Sequence, residues 1–525
     1  MILVSRAEMR ELDRLTIERY GTPGYTLMKR AAEGATDMLL QVFPHVRGRK
    51  VVILAGKGNN GGDGMIVARL LRRHRVKAEV VLLARRDEVA GDAAQAMRAY
   101  VAARGTLIEA SGPNAVAEVA ARIEGAALLV DALFGTGLNA PLAGTFQNVV
   151  ELANASGIPV FAIDIPSGLD ADRGVALGTA IQAEATATFG FAKIGQVIFP
   201  AARSVGVLGV VDIGIAPAAV DEVRPRARWL DADAARALMP HRAPDTHKGG
   251  TGHVLVIAGS RGHSGAALMC AHAACRGGAG LTTLAGPASL NTVFSLGRPE
   301  VMTATLPDRD GRITFDAKSL RAMLAGKDAV CIGPGLGTHA AAKKTVELIL
   351  RESNVPVLLD ADALTIVSAS LRLLRYARGP MVLTPHPGEM ARLLGVSAAE
   401  VQLDRVTHAR QFAEEHGCVL VLKGARTVIA APDGQVTINA SGNPGMATGG
   451  MGDALSGLIA ALLAQGLSTG DAAALGVYLH GAVADHLASG RGPIGLLASD
   501  VIEGIPAGFA RLVSLASDDE PPFRQ

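Results

Sequence analysis

The sequence predicts two α/β domains in series, each built on a mostly parallel sheet. Three observations carry this. Short apolar runs rich in β-branched residues alternate with Ala-rich helical segments nearly throughout the 525 residues. Glycine is abundant at 62 residues, whereas Phe 12, Tyr 5 and Trp 1 leave few aromatics, a balance that suits tight strand-to-helix turns. The alternation stops once, over residues 216–250, where Pro217, Pro225, Pro240 and Pro244 fall among charged residues, and then restarts. At roughly 100–200 residues per domain the length accommodates two large domains. The expected limits are 1–218 for the first domain, 219–250 for a linker and 251–518 for the second domain.

In the first half, residues 5–20 and 26–43 read as helices. Runs at 51–55, 79–84, 127–131, 158–164, 185–189 and 209–213 are short and apolar enough for strands buried on both faces. After the break, runs at 254–258, 281–285, 329–333, 355–360, 381–384 and 418–423 repeat the pattern. Two edge strands at 427–431 and 435–439 flank the turn Pro432-Asp433-Gly434. The end is helical over 452–465, 471–488 and 499–516, followed by a polar tail.

Composition excludes several function classes. Lys+Arg 51 against Asp+Glu 49 leaves a net charge of +2, which with so few aromatic stacking platforms argues against a nucleic-acid partner. Cys270, Cys275, Cys331 and Cys418 form no C-x-x-C pair and no zinc spacing, and read as buried reduced thiols. The opening apolar run is too short for a signal-peptide core, and 454–467 reads as a buried helix, not a membrane span. A cytoplasmic protein without a membrane partner is expected. A homo-oligomer is compatible with the sequence, which sets no oligomeric state.

The first strand of the first domain runs into Gly56-Lys57-Gly58-Asn59-Asn60-Gly61-Gly62-Asp63-Gly64, with a helix expected from Met65. Gly56, Gly58 and Gly61 satisfy G-x-G-x-x-G between strand and helix, where backbone can approach a phosphate. Asn59, Asn60 and Asp63 add polar groups to this loop, and Arg85-Arg86 at the end of the next strand suits a 2′-phosphate. Asp131 and Asp164 end two further strands, each followed by a glycine-bearing loop, and should converge with the Gly56 loop at the carboxyl ends of the sheet. Either carboxylate could instead cap a helix. Asn60, Asp131 and Ser167 offer only oxygen donors, which suit a hard cation such as potassium better than zinc. Lys193 is either a further polar group of the crevice or a snorkelling surface lysine.

In the second domain, the stretch from Gly442 to Gly457 places Gly449, Gly450 and Gly452 immediately before an apolar helix, exposing backbone N–H groups suited to a transferring phosphate. Asp453 in its first turn could take a proton from an attacking hydroxyl or merely complement the helix dipole. Lys423-Gly424-Ala425-Arg426-Thr427 follows a strand and could hold a nucleotide's phosphates. Gly333-Pro334-Gly335-Leu336-Gly337, the loop carrying His386 and Glu389, and Gly259 to Ala266 end other strands. No Walker lysine motif is present, so the site falls outside the P-loop class. His241, His247, His253, His263 and His272 lack a metal spacing and read as surface or loop residues.

Together these motifs resemble the bifunctional NAD(P)H-hydrate repair enzymes, an epimerase fused to a dehydratase, over nearly the whole chain. The resemblance implies a Rossmann-like first domain that interconverts the R and S forms of hydrated NADH and NADPH. Asn59, Asn60, Gly61, Gly62 and Asp63 would line its substrate site with Gly135, Thr136, Gly137, Leu138, Asn139, Ala140 and Pro141. Asn60, Asp131 and Ser167 would hold potassium, and Asp164 would be the acid/base. It also implies a ribokinase-like second domain that dehydrates the S hydrate using ADP or ATP with magnesium. There Asp453 would be the general base, Gly450 to Asp453 the anion hole, and Lys423, Gly424, Ala425, Arg426, Thr427 and Gly452 the nucleotide site. Ala266, Gly335 and His386 would face the hydrate. Met451 departs from the small residue that related kinases often carry between these glycines, which puts the loop's side-chain contacts in question. Two other readings compete: an NADP-dependent oxidoreductase fused to a small-molecule kinase, and a first domain that only senses nucleotides.

Overall fold

The computed structural model describes residues 1–514, so the end of the 499–516 helix, the polar tail and the expected domain limit at 518 lie outside the described residues. The chain divides into two compact units between Ala227 and Arg228.

The first unit is built on seven parallel strands: Lys50–Ala55, Lys77–Leu82, Thr106–Glu109, Leu128–Ala132, Val160–Ile163, Ala185–Phe189 and Val207–Val211. Numbered in chain order they lie 3-2-1-4-5-6-7 across the sheet. Alternate residues serve the two faces: Val51 and Ile53 pack under helices Gly24–Val42 and Asn59–Arg73, while Val52 and Leu54 pack under Ala115–Ile123 and Gly144–Ala155. The order reverses between the first and fourth strands, the crevice where open parallel sheets bind ligands. A short strand, Ile2–Val4, pairs in parallel with Ala192–Lys193, placing Val4 opposite Lys193. The helix expected over 5–20 begins with a reciprocal cap between Ser5 and Glu8, runs over Arg6–Arg14 and changes to a π-helical turn over Leu15–Arg19.

The second unit repeats the order. His253–Ile257, Leu281–Pro287, Met302–Leu306, Ala329–Ile332, Val357–Leu359, Met381–Leu383 and Val419–Leu422 are parallel and lie 3-2-1-4-5-6-7. The expected hairpin, Val428–Ala430 and Val436–Asn439, then adds two antiparallel strands. The helices Ser264–Arg276 and Met451–Ala464 pack together through Ala267, Cys270, Ala274, Ala454, Leu458 and Ala461. Such small side chains let the backbones approach closely: a Cβ on Gly457 would stand 2.0 Å from the Cys270 carbonyl.

Both parallel sheets end in a strand that the apolar pattern did not reveal, Thr106–Glu109 and Met302–Leu306. Each is an edge strand and largely exposed or half-buried, so neither carries a continuous apolar run. The segment 219–250, read as a linker, is divided in the structure. Ala219, on helix Pro217–Val223, packs in the first core, whereas Leu230, Ala232 and Ala235 pack in the second. Among the described residues no helix is long and apolar enough to cross a membrane.

Candidate active sites

The first site forms where the first and fourth strands of the first unit diverge. A Cβ on Gly56 would stand 2.1 Å from the Leu133 carbonyl oxygen, and one on Gly61 would stand 1.9 Å from that of Gly56. No side chain fits at either position. The following helix starts at Asn59, six residues before Met65, where it was expected. Its glycine-rich first turn lets it press onto the sheet: a Cβ at Gly64 would lie 2.5 Å from Ala132 Cβ. Asn59 to Asp63 are therefore the helix N-terminus rather than a loop. Asn60 and Asp63 are buried there, and neither polar atom of the Asn60 amide has a hydrogen-bond partner among the described residues.

Asp131 does not cap a helix. Its Oδ2 accepts from the Ser167 N–H at 2.7 Å, and its Oδ1 accepts from Ser167 Oγ at 2.7 Å and from the Leu133 N–H at 3.2 Å. The Phe134 N–H in turn donates to Ser167 Oγ at 2.9 Å, so this fully buried carboxylate ties two loops of the crevice together. Burial pushes its carboxyl up to about 6, against the pull of those hydrogen bonds.

Asp164 follows the fifth strand with φ +65°, a conformation that costs a non-glycine residue energy and that clusters at functional sites. Its Oδ1 accepts from Lys193 Nζ at 2.7 Å and its Oδ2 from the Thr136 N–H at 3.3 Å. A Cβ on Gly135 would stand 2.9 Å from Asp164 Oδ2 and 3.5 Å from Asn60 Cβ, so the predicted groups Asn60, Gly135, Thr136 and Asp164 converge. The rest of that loop, Gly137 to Pro141, is half-buried to exposed, and Leu138 O accepts from Arg6 Nη1 at 2.9 Å. Lys193 is no snorkelling surface lysine. Its side chain is 1% exposed, and Nζ also donates to Thr188 Oγ1 at 2.8 Å and Phe189 O at 3.1 Å.

Several partners carried no sequence signal. Gln196 donates to Asp164 O at 2.7 Å and accepts from Lys193 N–H at 2.8 Å, which holds the pair in place. Asp13 and Asp63 add two more carboxylates to the field of Lys193 and Asp164. Burial, then the charges of Asp164 and Asp13, hold Asp63 well above the usual carboxylate range, while burial raises Asp13 to about 6. Arg85 and Arg86 are engaged elsewhere. Arg85 Nε donates to Asp87 at 3.0 Å, and Arg86 Nη2 donates to Leu107 O at 2.9 Å on the edge strand, so the reading of a 2′-phosphate site loses its cations.

The second site gathers at the carboxyl ends of the second sheet. Asp360, directly after the fifth strand, is buried; its Oδ1 accepts from Lys423 Nζ at 2.8 Å and its Oδ2 from Ser456 Oγ at 2.8 Å. Glu389 Oε2 lies 3.8 Å from the same ammonium. Asp360 carried a sequence signal, since it ends an apolar strand just as Asp131 and Asp164 do. Asp453 lies in the first turn of helix Met451–Ala464. Burial, then the charge of Asp360, pushes its carboxyl up to about 7 while Lys423 pulls it down. A Cβ on Gly452 would stand 3.4 Å from Lys423 Nζ and 3.9 Å from Asp360 Oδ2, so the glycine run lies directly on the ion pair. Gly450 at φ +90° begins the helix without a side-chain cap, leaving first-turn N–H groups for a ligand. The Met451 side chain is spent on packing with Val483, Ala484, Leu496, Ala498 and Val501, so its departure from a small residue concerns that cluster.

The Lys423–Thr427 loop is held from beneath by Arg405, which the sequence did not single out. Its buried guanidinium donates to the carbonyls of Leu422 at 3.0 Å, Ala425 at 2.6 Å, Arg426 at 3.3 Å and Lys423 at 3.4 Å. With Lys423 on Asp360 and the Arg426 guanidinium on Ala440 O and 4.8 Å over the Trp229 ring, the exposed part of the loop is the backbone of Gly424 and Ala425. Thr427 Oγ1 donates back to Gly424 O at 2.9 Å. Gly335 and Ala266 meet each other: a Cβ on Gly335 would fall 3.4 Å from Ala266 Cβ and 2.7 Å from His263 Cβ. His386 caps helix Pro387–Leu394: its Nδ1 accepts from Gly388 N–H at 3.0 Å, and burial lowers its pKa. Among the described residues no three His, Cys, Asp or Glu side chains are grouped to hold a metal. His272 differs from expectation in being buried, 3.5 Å from Glu503. The four cysteines are unbridged, with Cys270, Cys331 and Cys418 buried and Cys275 half-buried.

Comparison with known proteins agrees with this division. Residues 24–195 match the family model described as YjeF-related protein N-terminus, and 254–507 match that described as NAD(P)H-hydrate dehydratase. The bifunctional NAD(P)H-hydrate repair enzyme of Moorella thermoacetica is 43% identical over 96% of both chains. That of Escherichia coli is 38% identical over 94% of this chain and 91% of its own. A solved structure, the ADP/ATP-dependent NAD(P)H-hydrate dehydratase of Bacillus subtilis co-crystallised with ATP and Mg2+, is 32% identical. It covers 54% of this chain and 98% of its own, with a TM-score of 0.49. With relatives this similar over its whole length, the chain belongs to the family of bifunctional NAD(P)H-hydrate repair enzymes.

Proposed function

We propose that the chain repairs hydrated NADH and NADPH at two separate sites, with epimerisation in the first domain (1–218), dehydration in the second (251–518) and 219–250 joining them. The observation that carries the second activity is the uncapped glycine helix terminus at Gly450 with Asp453 raised to about 7 beside it. Hydroxide is a poor leaving group, so phosphorylation must precede elimination. Asp453 takes the proton of the substrate hydroxyl, whose oxygen attacks the terminal phosphoryl of ADP, releasing AMP. The phosphate ester then eliminates to give NAD(P)H and phosphate. The N–H groups from Gly450 to Asp453 hold the transferring phosphoryl oxygens, and the backbone of Lys423 to Thr427 cradles the rest of the donor. Ala266, Gly335 and His386 face the hydrate. Magnesium accompanies the donor phosphates, since Lys423 offsets only one of the carboxylates Asp360, Glu389 and Asp453.

In the first domain, Asp164 moves the proton at the hydrated nicotinamide, with Asn59 to Asp63 and Gly135 to Pro141 lining the substrate. Asn60, Asp131 and Ser167 fit a potassium ion. The donor set is all oxygen, and Asn60 carries a buried amide without partners. Potassium there would supply positive charge to the buried Asp131 carboxylate. We place the protein in the cytoplasm, with hydrated NADH, hydrated NADPH and ADP or ATP as its small-molecule partners. The test is a mixture of hydrate epimers incubated with ADP or ATP while the return of reduced-nicotinamide absorbance is followed. Recovery of both epimers supports the reading; no recovery with either donor removes it.

A further inference from the structure

Inverting a carbon that carries a hydroxyl means breaking a C–O bond and remaking it on the other face. Deepening the epimerase reading above, on which it rests, we propose that Asp13 is a second catalytic carboxylate of the first site, working in concert with Asp164. In the hydrated nicotinamide the hydroxyl sits beside the ring nitrogen. One carboxylic acid gives its proton to that hydroxyl, and the C–O bond breaks with its electron pair leaving as water. The nitrogen lone pair meanwhile forms a C=N bond. Water then adds from the opposite face, the C=N pair returns to nitrogen, and the added water's proton goes to the other carboxylate. One proton enters and one leaves, with no oxidant or reductant. The step needs one group that holds a proton while the other is ionised.

Lys193 holds Asp164 in an ion pair at 2.7 Å, which suits the ionised role. Asp13 suits the other. Its helix follows directly on a strand tied to Lys193. On that strand Val4 pairs in register with Lys193, and at the helix start Arg6 N–H donates to Asp172 at 2.6 Å. One turn before Asp13, on the same helix face, Met9 packs on Gly190, where a Cβ would stand 3.0 Å from Met9 Cε. The π-helical turn Leu15–Arg19 follows at once, a local rearrangement frequent at functional sites. The Asp13 carboxylate is half-buried yet makes no hydrogen bond and no ion pair among the described residues, so the fold does not use it for structure. The charged groups it feels are Lys193, Asp164 and Asp63; burial outweighs the ammonium and raises its pKa to about 6. Asp63 is the deeper of the two spare carboxylates and 8% exposed, whereas Asp13 keeps access to water.

The experiment uses the full chain and measures epimer exchange against pH, with dehydration followed in the same preparation to fix the amount of enzyme and thermal unfolding of each variant to check its fold. Asp13→Asn should slow exchange by about 100-fold with KM unchanged, and should remove one limb of the pH profile near 6. Asp13→Glu, which restores a carboxyl group, should recover part of the rate and the missing limb. In isotopically labelled water each inversion should place solvent oxygen in the hydroxyl. Exchange by Asp13→Asn at the wild-type rate with the limb intact would overturn the proposal. So would equal loss in both variants with a raised KM, the mark of a structural role, or inversion without solvent oxygen. Wild-type protein that fails to exchange epimers at all removes the epimerase reading itself, an outcome distinct from the failure of Asp13.

Discussion

The fifth strand of each sheet ends at a carboxylate bonded to a lysine, and the two pairs have become different devices. Asp164 meets Lys193 at 2.7 Å, and Asp360 meets Lys423 at 2.8 Å. Each strand end carries a positive φ, +65° at Asp164 itself and +50° at Ala361 just after Asp360. In the first unit the lysine is 1% exposed and the carboxylate 13%; in the second the order reverses, with the carboxylate 2% and the lysine 19% exposed. The first site therefore presents a carboxylate paired with a buried ammonium. The second presents an ammonium and leaves the proposed proton acceptor, Asp453, on a separate helix, where burial and the charge of Asp360 outweigh the pull of Lys423. One strand order, 3-2-1-4-5-6-7, supports both, because the reactive group depends on which partner of the pair faces the crevice.

The sharpest test of that contrast is removal of each proposed base in turn. Asp453→Asn should lower dehydration by about 1,000-fold while epimer exchange is unchanged, both measured on the same sample. Asp164→Asn should slow exchange by about 100-fold and spare dehydration. If either variant loses both activities, the sites are not independent.

The lysines come next. Lys193→Met leaves Asp164 without its cation, so exchange should fall by about tenfold. Lys423→Met strips the charge that pulls Asp453 down, so the limb of dehydration should rise above about 7. Exchange rates of the first variant and the rate–pH profile of the second check this; unchanged exchange or a downward move of the limb contradicts the assigned roles.

Smaller shifts should follow from Asp360. In the wild type, dehydration should rise with pH through about 7 as Asp453 ionises. Asp360→Asn removes the like charge that raises Asp453, so that limb should move to lower pH. The weakest effect is on stability. Asp453 has a folded pKa above its unfolded value, so the folded state holds more protons and stability should decline as pH rises from about 4 to about 7. Asp453→Asn should flatten that decline in chemical denaturation of the second unit.

Much of this was readable in the chain. Central strands announce themselves because burial on both faces demands an unbroken apolar run, as in Val51 to Ala55 or Val254 to Ile257. Turns where no side chain fits announce themselves through glycine, as at Gly56 and Gly61, and so does the uncapped helix start at Gly450. The edge strands Thr106–Glu109 and Met302–Leu306 stayed hidden because half their surface is open. Asp13 and Arg405 stayed hidden because one charged residue in a helix looks like any other until its surroundings are known, whereas Asp360 carries the same strand-end signal as Asp131 and Asp164.

The sequence by itself determined the elements, their order and the glycine turns, since these depend on neighbours along the chain and on backbone sterics. Only the tertiary structure decided the charge states. The two ion pairs join residues 29 and 63 positions apart, and whether a carboxylate there is ionised depends on burial and on those distant partners. Asp164 and Asp453 were equally visible as acids in the sequence. Lys193 beside one, and Asp360 with Lys423 around the other, give them different chemistry.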